Sequence, residues 1–445
     1  MSNADRLQRR SRWSWYFYDF GNSAYASIIL LAVFSVYFKN TIVPGTIIDG
    51  AMSNAAGTRL WGISVGIAAI VVALISPILG TIADFTKFKK KFLIAFTALS
   101  VVFTSLLFFT REGDVFRGML FFIIAEIGYR ASQVFYDALL SDISTPENIG
   151  KISGKGWAMG MVGGIIALLL IIPIMLSKNS RDLTPFAFLI AAAFYLLSAI
   201  PTFIFVKEKH EAERIPHGET VLVHAFKNLG RTFRSVKSYK EFIKYTVSFL
   251  IYNDGIMMLM DFAAIIGATL YGLKAVELIL FVVLIQITGA GGALLFGRIA
   301  DRKSGKEAVL YSLIILAVSI AALFIIPSEP VIWFFVVGAF AGFSLSGAQA
   351  VSRGMVVQLA PEEKTTEFYG FLSVAGRTST FIGPLVFSTL SFRMNNWYKN
   401  NGVVADMAEK YGMKWGIGAI LAFLLVGGLL LLMVKRIHID GKKTK

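Results

Sequence analysis

Apolar residues run along this chain in long blocks, interrupted by short polar turns that are mostly basic. Crossing roughly 30 Å of hydrocarbon takes about twenty helical residues. We read twelve such windows, centred near Ala26, Val71, Val101, Ile127, Ile165, Leu196, Met260, Val283, Leu316, Ala339, Thr378 and Leu424. In lipid a backbone can satisfy its own N–H and C=O groups as a helix. The pattern therefore predicts an all-α membrane protein of twelve spans.

The windows fall into two similar sets. Gly80-Thr81-Ile82-Ala83-Asp84, followed by Lys89, Lys90 and Lys91, returns as Gly297-Arg298-Ile299-Ala300-Asp301, followed by Arg302, Lys303 and Lys306. Gln133 matches Gln349, Pro146-Glu147 matches Pro361-Glu362, and Gly154 matches Gly370, all at an offset of about 216. A repeat of this kind predicts two pseudo-symmetric six-helix bundles, residues 1–206 and 241–445, joined by 207–240, and it fits a transporter. In the connector Leu222, Ala225, Phe226, Leu229, Phe233 and Val236 recur at helical spacing. That is either an amphipathic helix in the cytoplasmic interface or a basic disordered linker.

Composition narrows the class. Hydrophobic residues make up 56% and mean hydropathy is +0.67, more apolar surface than a soluble core could hide. The net charge of +15 sits between the spans, where cations set topology and meet lipid headgroups, so nucleic acid is not an expected partner. With the N-terminus in the cytoplasm, roughly 28 Lys/Arg fall on that side against about 10 on the other. Both termini are expected inside, in a bacterial inner (plasma) membrane. Trp13, Trp15, Tyr16 and Tyr18 read as an aromatic belt at the headgroups. The first apolar run is too long for a signal peptide and is expected to remain as span 1.

Twelve spans with this loop motif resemble the major facilitator superfamily. A closer resemblance rests on Tyr18-Asp19-Phe20-Gly21-Asn22-Ser23-Ala24-Tyr25 in span 1, Tyr252-Asn253-Asp254-Gly255 in span 7 and Gln349-Ala350-Val351-Ser352-Arg353 in span 10. Together with Tyr369-Gly370-Phe371 and Gly383-Pro384 in span 11, these resemble the vacuolar amino-acid effluxer family linked to autophagy and its bacterial relatives. Phe20-Gly21 departs from the tryptophan-alanine pair common there. The resemblance implies a secondary transporter of a small organic solute, amino acid or similar. It also implies that spans 1, 4, 7 and 10 line a central cavity.

Ionisable groups inside hydrocarbon are costly, so their placement is informative. Span 1 carries Asp19, Asn22 and Tyr25; span 4 carries Glu126, Tyr129, Arg130, Gln133 and Asp137; span 7 carries Asn253, Asp254 and Asp261; span 10 carries Ser344, Ser346, Gln349 and Arg353. Spans 3, 6, 9 and 12 are almost purely apolar in their middles. Glu126, Arg130, Gln133 and Asp137 recur at steps of three and four, which puts them on one helix face. They read either as a buried structural ion pair or as a place where substrate or a proton competes. Arg130 with Gln133 also resembles an element of proton-coupled superfamily members.

Asp19 and Asp254 occupy like positions in the two halves. Each could bind a cationic group, carry a coupling proton, or pair with Arg130 or Arg353. Asp261 reads either as a midplane ligand or as the cap of an unwound segment beside Gly267. Arg377 is a mid-membrane cation, for a substrate anion or a polar partner in span 7 or 10. Gly80, Asp84, Gly297 and Asp301 read as a cytoplasmic gate: the resemblance implies that Asp84 faces the start of span 11, near Thr365, and Asp301 that of span 5, near Ser153. Gly156, Gly160, Gly163 and Gly164 would let span 5 approach another helix closely, and Gly383-Pro384 would kink span 11.

A membrane-embedded enzyme needs a nucleophile with a base, or clustered metal ligands. The chain has no cysteine, and its four histidines, His210, His217, His224 and His438, lie in hydrophilic segments. Neither a cofactor nor a metal is expected. The expected partners are a small-molecule substrate, protons and membrane lipids, with the protein acting as a monomer. A lipid or lysolipid flippase on the same fold is the alternative.

Overall fold

The computed structural model describes residues 3–48, 51–86, 88–144, 149–208, 239–359, 372, 375–376 and 380–435. The 209–238 stretch, which holds the predicted interfacial helix, lies outside these residues, as do all four histidines and Arg377.

Twelve long helices and two single-turn ones are present among the described residues. The first long helix, α1 (Asn3–Tyr25), continues through a π-helical stretch (Ala26–Ala32), the short α2 (Phe34–Tyr37) and a second π-helical turn (Phe38–Ile42). A small hairpin of β1 (Thr46–Ile48) and β2 (Ala51–Ser53) follows, pairing Thr46 with Ser53. Next come α3 (Ala55–Thr86), α4 (Lys89–Leu106), α5 (Val115–Ala138), the short α6 (Leu140–Ile143), α7 (Ile149–Leu176) and α8 (Ser180–Phe205). The second half consists of α9 (Lys240–Tyr271), α10 (Ala275–Arg302), α11 (Gly305–Ala322), α12 (Ile332–Leu359), α13 (Ile382–Asn400) and α14 (Ala405–Leu432).

Ten of these helices are long and apolar enough to cross a membrane by composition. The two others are α5, whose hydropathy is lowered by Glu126, Arg130 and Gln133, and α13, which is described only from Ile382. The protein is an integral membrane protein of many spans.

Packing repeats between the halves. In the first, α1 packs on α8, and α4 and α3 pack on α5; in the second, α9 packs on α14, and α11 and α10 pack on α12. Two contacts join the halves in the same crossed manner, α3 with α13 and α10 with α7. The first helix of each half is the most enclosed. Within their most apolar stretches 72% of residues of the first span and 67% of α9 are buried, against 33% in α4 and in α8. A side chain on α1 or α9 therefore meets protein, whereas α4 and α8 present much of their surface to lipid.

The glycines of α7 find their partner in α1. A Cβ on Gly163 would stand 2.0 Å from the Phe20 carbonyl oxygen, and one on Gly156 would stand 2.4 Å from the Trp15 ring. Backbones so close exclude any larger residue.

Two sequence expectations are corrected by the fold. Trp15, Tyr16 and Tyr18 are buried, Trp15 stacking on Tyr136 at 4.3 Å, and of the four supposed belt aromatics Trp13 alone is exposed. Gly156 of α7 makes room for the Trp15 ring, and the Tyr18 hydroxyl is drawn in by Thr97 of α4 and Tyr195 of α8. Gly383-Pro384 lies in the first turn of α13, where a missing N–H costs little, and residues 377–379 of span 11 ahead of it lie outside the described residues. Finally, α7 begins at Ile149, a turn before Ser153.

Candidate functional site

Polar side chains from both halves converge at the middle of the bundle. On α5, Arg130 sits one turn beyond Glu126 and donates through Nε to Glu126 Oε1 at 2.5 Å. The Glu126 side chain is fully buried, while that of Arg130 is 19% exposed. The same guanidinium reaches the other half: Nη2 lies 3.9 Å from Asp261 Oδ1 on α9. One cation is thus shared by two carboxylates, one from each bundle. Such a pair is stable in low dielectric only while its members stay together.

Aromatic and amide groups close the surroundings. Tyr25 stacks on Tyr129 at 4.5 Å, and its hydroxyl is turned toward Glu126 without closing a hydrogen bond. Glu126 Oε2 and Gln133 Nε2 are also buried without a hydrogen-bond partner among the described residues. Further along the α5 stripe Asp137 is exposed, so the predicted face runs from the buried middle to one end of the bundle.

In the first span Asn22 Nδ2 lies 3.4 Å from Asp19 Oδ1, and Gly160 of α7 leaves room for Asp19 and Ser23 against the helix. Asp254 is buried on α9, two turns before Asp261 on a similar face. Gly383 in the first turn of α13 packs against its backbone carbonyl, and Oδ1 has no hydrogen-bond partner among the described residues. Beside it Gln349 Nε2 donates to Asn253 Oδ1 at 2.9 Å, linking α12 to α9.

Of the predicted site residues, Glu126, Arg130 and Asp261 are brought into one ionic group, Tyr25 and Tyr129 into a stack beside it, and Asn253 and Gln349 into a hydrogen bond. The side chains of Gly80, Asp84, Asp301 and Arg353, and residues 360–371, lie outside the description. Gly297 lies on α10, and a Cβ there would meet nothing within 4 Å among the described residues. The capping role considered for Asp261 is corrected. Helix α9 is continuous past Gly267 and ends at Gly272, which takes the left-handed conformation. Arg130, one of two possible partners of Asp19 and Asp254, is instead held by Glu126 and Asp261.

Four residues that join the two halves were not singled out from sequence. Trp61 on α3 donates its indole N–H to the Asp261 carbonyl oxygen at 2.9 Å, across the two halves. Gln286 on α10 lies against Gly164 of α7. Lys39 and Glu409 form a buried ion pair at 2.8 Å between the end of the first span and the start of α14. Each of these charges stands near the end of an apolar run, where it reads as a headgroup-level residue. No one-dimensional signal joins them.

Two crossed six-helix bundles around a shared intramembrane ion pair define a class, the membrane transporters of the major facilitator type. The family model described as "Vacuole effluxer Atg22 like" matches residues 58–149 and 142–399, and the chain belongs to that family. An uncharacterized MFS-type transporter of Bacillus subtilis (strain 168), YxiO, is 28% identical over 381 residues, covering 84% of this chain and 86% of the relative. Autophagy-related protein 22 of Yarrowia lipolytica is 22% identical over 303 residues, 61% of this chain and 50% of that protein. A solved bacterial homolog of the human lysosomal transporter Spinster, inward-facing and unoccupied, superposes with a TM-score of 0.71 over 98% of both chains at 13% identity, a likeness of fold.

Proposed function

We propose that this transporter moves a small organic solute, an amino acid or similar, by alternating access of its two halves, and that a proton is exchanged in step. The observation that carries the reading is Arg130 lying between Glu126 of its own half and Asp261 of the other. A proton on one carboxylate, or an anionic group of the solute, would release Arg130 from the shared pair and so loosen a link between halves. Asp19, Asn22, Tyr25, Tyr129, Gln133, Asp137, Asn253, Asp254 and Gln349 surround or extend this centre, with Arg353 and Arg377 assigned from sequence. Asp84 and Asp301 are assigned to the gate at the face bearing the chain termini. We place that face in the cytoplasm on the Lys/Arg asymmetry, the membrane being a bacterial inner membrane and the protein a monomer.

The test begins with a thermal-shift screen of purified protein against amino acids, sugars, nucleosides, organic anions and lysolipids, since a ligand of the folded state stabilises it by mass action. With the hit in hand, proteoliposome uptake driven by a pH gradient is compared with counterflow in Asp19→Asn, Glu126→Gln, Asp137→Asn, Asp254→Asn and Asp261→Asn. Neutralising the coupling carboxylate abolishes accumulation and spares counterflow. Wild-type accumulation and pH dependence in all five would sink proton coupling through these groups, and a lysolipid hit would turn the reading to a flippase.

A further inference from the structure

We propose that Lys39 and Glu409 form the lock that holds the face opposite the chain termini closed, and that the transport cycle passes through its breakage. Both side chains are nearly enclosed, 3% and 9% exposed. Lys39 Nζ lies 2.8 Å from Glu409 Oε1 and also donates to Thr269 Oγ1 at the end of α9 at 2.5 Å. The second carboxylate oxygen accepts from the backbone N–H of Asn54 at 2.5 Å. Lys39 and Asn54 belong to the first half, Thr269 and Glu409 to the second. This one ionic group therefore ties both sides together at the end of the bundle opposite the chain termini.

Its neighbours oppose it. Glu409 shares a small cavity with Ala55, Thr58, Ser391, Phe392 and Met413. Thr58 Oγ1, Ser391 Oγ, Asn54 Oδ1 and Asn395 Oδ1, all buried in this region, have no hydrogen-bond partner among the described residues. Each gains water when the halves part here, so these groups favour opening. The ion pair favours closure, because a buried charge that loses its partner before it is hydrated is costly. Two opposed terms at one interface give an element with two states, as alternation requires.

The close contact of α3 with α13 on the same face supports the assignment. A Cβ on Gly62 would stand 2.3 Å from Ser388, and one on Gly66 would stand 2.8 Å from Leu385. The Ser388 and Leu385 side chains of α13 seat directly on these glycines of α3, so the lock sits at the edge of a tight seam.

The chain has no cysteine, so spin labels at Lys178→Cys and Asn401→Cys, exposed positions on this face of each half, report its opening without any substrate. Distances are measured by pulsed electron resonance in lipid nanodiscs for wild type, Lys39→Met, Glu409→Gln and the double variant. Each single variant raises the separated population about tenfold. The double variant opens no further than either single one, because removing both charges leaves no orphan ion. Unchanged distances in both single variants overturn the proposal, as does a double variant whose opening is the product of the two single effects. The neutral double variant keeps the test decisive if a single one folds poorly, since wild-type distances there also reject the lock.

Discussion

Lys90 and Lys306, one repeat length apart, make the same contact in their two halves. Lys90 Nζ donates to the Val206 carbonyl at 3.0 Å, just past the end of α8; Lys306 Nζ donates to the carbonyls of Leu432 at 2.8 Å and Val434 at 2.5 Å, at the end of α14. Each cation of the repeated motif thus caps the last helix of its own bundle, where unpaired carbonyls and the helix dipole favour positive charge.

Replacing Lys306 by Met is expected to destabilise the second bundle by about 0.5–1 kcal/mol, and Lys306→Arg by less. The check is the thermal midpoint of purified protein in one detergent. A melting point equal to wild type in Lys306→Met means the contact contributes nothing.

Breaking the midplane pair from either side has unequal consequences. Glu126 is fully buried and closely bonded to Arg130, whereas Asp261 lies 3.9 Å away. Glu126→Gln is expected to cost about 3 kcal/mol of stability and Asp261→Asn clearly less, since Arg130 keeps Glu126. Equal losses in chemical denaturation would contradict this order.

Tyr18 anchors a buried hydroxyl chain, with Thr97 Oγ1 and Tyr195 OH each at 2.7 Å and Ser132 Oγ at 3.0 Å beyond Tyr195. Tyr18→Phe leaves Thr97 and Tyr195 each short of a partner and is expected to destabilise by about 1–3 kcal/mol. Tyr16→Phe, outside that chain, serves as the control and should change the midpoint far less.

Helix α7 offers a contrast within one element. Gly163→Ala forces a Cβ to within 2.0 Å of the Phe20 carbonyl oxygen, whereas a Cβ on Gly154 would meet nothing within 4 Å among the described residues. The first substitution is expected to lower folded yield severely; the second should be neutral or slightly stabilising through helix propensity. Comparable yields for both would show that α1 and α7 are less tightly apposed.

Orientation is open to direct labelling. A cysteine at Ser2 should be protected from an impermeant reagent applied to intact cells, and one at Lys178 should react. The reverse pattern would invert the topology assigned from the Lys/Arg asymmetry.

The sequence by itself determined what depends on composition and period. Apolar run lengths predicted twelve spans because lipid thickness fixes helix length, and the repeated Gly-x-x-x-Asp motif with its lysines divided them into two bundles. The cost of an ion in hydrocarbon singled out Glu126, Arg130, Asp254 and Asp261, and helical spacing placed the first two on one face. Which charge meets which was decided by tertiary structure alone. Asp261 is drawn to Arg130 and Lys39 to Glu409 by the way two bundles cross, and neither pair leaves a mark in local sequence. The same is true of Trp15 and Tyr18: their composition matches a headgroup belt, and only contacts with distant helices, Gly156 of α7 against Trp15 and Thr97 and Tyr195 beside Tyr18, take them inside. Pattern along a chain reports the solvent each segment prefers; partners across a membrane bundle follow from geometry that appears once all the helices are packed.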